Sequence, residues 1–332
     1  MSAWRDGMRR VNRAPAILAG VWLLTMAASL PLALTLRGAI AQHLGSSLAA
    51  DAAATGVNYD WMQEFGDQAT GISATLKPTV IGFGAVLDNL SAFADLTPRP
   101  IAVVLAAGIY LALWVLLSAG IIDRYARDRP TRAYGFFRAC GGFAVRFARL
   151  AIVMGIVYAF LFGWMHPWLF DRLYPQLTRN VNVERTAFFT RVSLYAVFFA
   201  VLAGCNLIFD YAKVRAVVED RRSMLGSISA AVRFVGSHYR AAVSLYLADV
   251  LLFVAAIAAY AALAPAGAGG GPSMWLALAI GQCYVLARLW VKLVFWASET
   301  ALFQSRLAHA GYVAAPKPTW PDSPTAEAIS RI

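Results

Sequence analysis

Apolar positions along this chain gather into six long blocks, separated by breaks rich in charge, glycine and proline. The blocks cover residues 14–36, 101–122, 150–170, 192–209, 241–263 and 273–298. A bilayer core of about 30 Å takes roughly 20 apolar residues in helical form, so the blocks predict six transmembrane helices. Residues 37–99 are too long a connection for a tight turn. Within them 48–54, 61–69 and 80–96 read as short helices, broken by Gly56, Gly66, Gly71, Gly82 and Gly84. This insertion is expected to form a small helical cap on the periplasmic side. A Gly/Ala/Pro turn at 264–272 joins the last two spans, and 299–332 is expected as a cytoplasmic tail, partly disordered. Nothing shows the alternating ten-residue pattern of a membrane β-barrel. The predicted fold is an all-α integral membrane bundle in a single domain.

A repeat runs beneath the blocks. The second, fourth and sixth spans each end on an acidic residue, Asp123, Asp210 and Glu299, at intervals of 87 and 89 residues. Ahead of the odd spans, Phe136, Cys140, Phe143 and Phe147 recur as Met224, Ile228, Ala231 and Val235. Trp4, Met8, Val11 and Pro15 show the same spacing at the start. That i, i+4, i+7, i+11 pattern places one apolar stripe on one side of a helix, with arginines flanking it. Three units are predicted, each an amphipathic helix followed by a hairpin of two spans. Two roles are open for the amphipathic helices. They could bind anionic lipid at the inner leaflet or dock a partner, or they could seal the base of the bundle.

Composition agrees with a membrane protein and charge orients it. Of 332 residues 60% are hydrophobic and 14% charged, where soluble domains carry about a quarter charged. A net charge of +11 taken alone suggests nucleic acid. Its distribution points to topology instead: twenty of the 29 Lys and Arg lie on one side of the spans, seven on the other, and Arg288 and Lys292 within the sixth. By the positive-inside rule both termini are placed in the cytoplasm of a bacterial inner membrane, with the first block an uncleaved anchor. No nucleic-acid partner is expected. Cys140, Cys205 and Cys283 lie outside the external loops and show no metal-ligand spacing, as expected of structural thiols.

Charges within spans are costly and usually paired or functional. Asp249 in the fifth span, and Arg288 and Lys292 one turn apart in the sixth, fall at similar depths if the two helices run antiparallel, so Asp249 is expected to bridge the cations. Asn206 and Gln282 are further polar candidates for the interior. One reading is a pocket for an anion, a lipid headgroup or a proton; the other is a structural ion pair with Lys292 snorkelling to the surface. There is no Walker A loop, HExxH, GxSxG or dinucleotide fingerprint, and His43, His166, His238 and His309 lack ligand spacing. No cofactor, metal or catalytic residue is expected.

The segment Asp210-Tyr211-Ala212-Lys213-Val214-Arg215-Ala216-Val217-Val218-Glu219-Asp220-Arg221-Arg222 resembles that of bacterial six-span membrane proteins of unknown activity. These are similar to the membrane domain attached to some glycerophosphodiester phosphodiesterases. The specific part covers about forty residues around spans four and five. No segment matches the phosphodiesterase barrel or its metal ligands, so no catalytic residue carries over. The resemblance implies an integral inner-membrane protein. Three classes of function follow: a scaffold or accessory component interacting with lipids or transport-linked partners, whether another protein or a second copy of itself; a transporter or channel centred on Asp249, Arg288 and Lys292; and an intramembrane enzyme, for which no constellation is found.

Overall fold

The computed structural model describes residues 2–54, 56–264 and 271–307; most of the turn at 264–272 and the tail beyond Leu307 lie outside them. Among the described residues the chain is helical and has no strand. The elements are α1 (Ser2–Asn12), α2 (Pro15–Leu44), α3 (Ala50–Ala54), α4 (Tyr59–Gln68), α5 (Gly84–Ala94), α6 (Ile101–Arg127), α7 (Ala133–Phe160), α8 (Tyr174–Thr178), α9 (Glu184–Val218), α10 (Met224–Ser237), α11 (Tyr239–Leu263) and α12 (Pro272–Arg306). Six helical runs are long and apolar enough to cross a membrane: α2, α6, the run from α7 through α8 (Ala133–Thr178), α9, α11 and α12.

Helices outlast the apolar blocks at several ends. Backbone hydrogen bonds propagate a helix past the membrane boundary where neighbours cover it. Thus α12 continues to Arg306, taking in the first eight residues assigned to the tail, and α2 continues to Leu44. The third span widens into π-helical turns at Leu161–Met165 and Trp168–Leu173. Pro167 stands between them, and a proline inside a helix removes a donor from the i→i−4 ladder and crowds the preceding turn. The His166 imidazole there meets the Ala94 carbonyl at the end of α5, 2.7 Å away.

Burial is concentrated at one end of the bundle. The main core is built from the last turns of α6 (Leu117 to Ala126), α9 (Leu207 to Val218) and α12 (Leu289 to Phe303), joined by residues of α1, α7, α10 and α11. These are the ends flanked by the basic segments. Elsewhere the spans present leucine, isoleucine and valine outward, as at Leu105, Ile109, Ile152, Val197 and Leu251. Outward-facing apolar side chains suit a hydrocarbon solvent.

The amphipathic stripes turn inward onto this core. Val11, Cys140, Phe147, Met224 and Ala231 are buried in it, and Trp4, Met8, Phe136, Phe143, Ile228 and Val235 pack against it. The first and third of these segments are separate helices, α1 and α10. The middle one is continuous with its span in α7. The insertion has a small core of its own, Trp61, Met62 and Phe65, resting on Ile40 and Leu44 at the end of α2.

Candidate functional site

The charged residues of the fifth and sixth spans do not form the expected triad. Asp249 is fully buried on α11, where it accepts hydrogen bonds from Trp4 Nε1 at 2.9 Å and Ser298 Oγ at 2.8 Å. Among the described residues no ion pair joins it to Arg288 or Lys292. The reason is register. At about 1.5 Å of rise per residue, Ser298 stands ~15 Å along α12 from Arg288 and ~9 Å from Lys292. Because α12 runs two turns past the apolar block, Asp249 pairs with its core-end half, and the docked helix α1 supplies the second donor.

Arg288 and Lys292 line a different space, a cavity of about 720 Å³ among α6, α7, α9, α11 and α12. The Lys292 ammonium lies 3.6 Å from the centre of the Trp114 ring and 5.8 Å from that of Trp296. A cation over an aromatic face gains about 0.5–2 kcal/mol, the more when desolvated. The two indoles meet edge to face at 5.3 Å. Trp296 Nε1 donates to Asp210 at 3.2 Å, and the same carboxylate takes the Lys213 ammonium at 2.8 Å. Arg288 lies beside Tyr284, which stacks on Tyr260.

The cavity therefore holds three cations, Lys213, Arg288 and Lys292, against the single carboxylate of Asp210. Asp210 is engaged by Lys213, which leaves Arg288 and Lys292 without a carboxylate partner among the described residues. Arg288 stands exposed at the rim of the cavity and Lys292 is half-buried; within a membrane span, cations without a carboxylate partner are costly. An anion placed between them would offset that cost and accept charge-assisted hydrogen bonds from both. The rest of the lining is apolar or aromatic, with Tyr110, Met154, Phe253 and Phe295 among it. Besides Ser118, which donates to the Val115 carbonyl, its polar groups form a chain in which Tyr158 donates to Asn206 and Asn206 to Tyr246, at 3.5 and 3.3 Å.

The acidic positions at the ends of the even spans have three different fates. Asp123 is ion-paired with Arg127 at 2.9 Å, Asp210 belongs to the cavity, and Glu299 is buried in the core. Asn206 is in the cavity, as a polar interior residue should be. Gln282 is elsewhere, accepting from Trp22 Nε1 at 3.0 Å and so tying α2 to α12. Sequence patterning missed Trp114, Trp296 and Lys213 as parts of one site. One signal was present: Trp114 lies well inside its span, away from the interfacial belt where that residue usually sits. No protein-family model, curated protein or solved structure matches this chain.

Proposed function

We propose that this chain is an inner-membrane protein of a bacterium that binds an anionic amphiphile, a lipid or lipid-like molecule, in the cavity lined by Lys213, Arg288 and Lys292. One observation carries the proposal: Lys292 and Arg288 reach into an apolar, aromatic cavity with no carboxylate on either. A ligand with a negative head and an apolar body answers both features, since the head neutralises the cations while the body takes the hydrophobic walls. A cavity reaching the intramembrane cations favours ligand handling over a purely structural bundle. The resemblance to a phosphodiesterase-linked membrane domain points the same way, towards lipid. The preponderance of Lys and Arg on one side supports cytoplasmic termini, and the recurring acidic ends support a threefold repeat.

The binding test is native mass spectrometry of the full-length protein extracted with its lipids. Wild type should carry an anionic adduct, and Lys292→Gln combined with Arg288→Gln should lose it at least ~10-fold, as expected when charge-assisted contacts worth about 1.5–3 kcal/mol each are removed. Equal adducts on both proteins, or zwitterionic lipid alone on wild type, would refute the proposal. Orientation is tested separately: a reporter active only outside the cytoplasm, fused after Ile332, should stay silent.

A further inference from the structure

Seven residues beyond Lys292, on the core side of the cavity, α12 carries Glu299. It is 1% exposed, and neither of its carboxylate oxygens has a hydrogen-bond partner among the described residues. Buried carboxylates normally collect donors, and this one has neighbours that withhold them. From α9 it faces Asp210, Lys213 and Tyr211; from α11 it faces Asp249 and Tyr246. Lys213 is held by Asp210, and Asp249 is already bound by Trp4 of α1 and by Ser298. On α1, Asp6 pairs with Arg9 and Arg10, Arg10 reaches Gln304 and the Tyr125 carbonyl, and Arg5 is exposed. On α6, Asp123 is paired with Arg127, while Arg124 lies by Tyr125. Tyr211, fully buried, also has a hydroxyl without a partner.

Asp210 and Glu299 thus share one lysine in a buried interior, with the Asp249 carboxylate beside Glu299. An ionised Glu299 there would be an anion with no donor and two acidic neighbours, a burial costing several kcal/mol. The smallest species that removes this cost is a proton on the carboxyl itself.

We propose that Glu299 is a proton-binding site in the wall behind the cavity. The carboxyl holds one proton on an oxygen and stays un-ionised, while the Asp210 carboxylate keeps its Lys213 ion pair and its Trp296 hydrogen bond. The proton site rests on the surroundings of Glu299 and stands whether or not the cavity takes a lipid.

Infrared spectroscopy of the full-length protein in membranes tests it at about pH 8, where an ordinary glutamate is ionised. The carbonyl stretch of an un-ionised carboxylic acid should be present in wild type, shift when the protein is made with isotope-labelled glutamate, and vanish in Glu299→Gln. The labelled wild type needs no variant, so the test survives a Glu299→Gln protein that fails to fold. Absence of any glutamate-derived acid band would overturn the proposal, as would a band that persists in Glu299→Gln. An intact Glu299 band in a protein that binds no anion would sink the cavity reading and leave the proton site standing.

Discussion

Asp249 shows how a charged residue in a span finds partners that spacing does not reveal. Its carboxylate accepts from an indole N–H and a hydroxyl, so Asp249→Asn keeps one acceptor oxygen and turns an amide donor towards a second donor. Loss of one buried bond of this kind should cost about 1–3 kcal/mol. Since Arg288 is not its partner, adding Arg288→Met should bring no rescue, and the two effects should sum within ~0.5 kcal/mol. Thermal unfolding in detergent of wild type, both single variants and the double variant reads this directly. Recovery in the double variant would restore the Asp249–Arg288 ion pair and displace the hydrogen bonds described above. Lys292 makes the opposite case. Its aromatic platform should hold the ammonium in place, and Trp114→Leu should weaken anion binding by about one cation–π contact, ~0.5–2 kcal/mol, with Asp249 undisturbed.

At the scale of elements, α1 is the piece whose role changes most on folding. It lies against the core-end half of α12, where Gly7 packs so closely that a Cβ would stand 2.6 Å from the Ser298 backbone. No side chain fits there without moving one helix. Gly7→Val should therefore lift α1 from α12, break the Trp4–Asp249 bond and cost about 1–3 kcal/mol by overpacking. The same change at Gly20, which has open space around it, should cost only its helix propensity, a few tenths of a kcal/mol in either direction. Comparison of the two melting temperatures checks this. Trp4 fluorescence is crowded by nine other tryptophans, so a cysteine placed at Val11, buried while α1 is docked, and probed with a maleimide is the better report on whether α1 has left.

For the whole molecule, a polar clamp joins the insertion to the fourth span. Asp95, at the end of α5, accepts from the Tyr195 hydroxyl and from Arg191 at 3.1 Å, while Arg99 pairs with Asp88 at 2.6 Å. The Tyr195 hydrogen bond holds the Asp95 carboxyl below its ordinary value of 3.8 against the opposing effect of burial; Ser91 and Arg191 act in the same direction as Tyr195. A carboxyl lowered by folding stabilises the contact above the unfolded value and loses that contribution as pH falls through the folded one. The clamp should thus hold at neutral pH and loosen only below 3.8. Pepsin cleavage around 84–99, followed as pH is lowered, should rise there in wild type. In Asp95→Asn the dependence should flatten, since no titrating group remains at that position. Unchanged acid sensitivity in the variant would assign the effect elsewhere.

Six spans, an all-α bundle and an amphipathic segment ahead of each odd span were legible in the residues alone, because hydrocarbon imposes length and helical form on any segment that crosses it. The acidic ends of the even spans were legible for the same kind of reason: Asp123, Asp210 and Glu299 stand out against apolar runs. Their separate fates were not. Whether a carboxylate meets a lysine, an indole or nothing depends on the axial offset and rotation of neighbouring helices. Apolar patterning leaves both loose, since leucine is as welcome against lipid as against another helix. The two extra turns of α12, the continuous α7 and the docking of α1 at Gly7 set those offsets. They moved Asp249 away from Arg288, opened the cavity around Lys292 and closed the core over Glu299, so the chemistry of the bundle was decided by packing that only the folded chain contains.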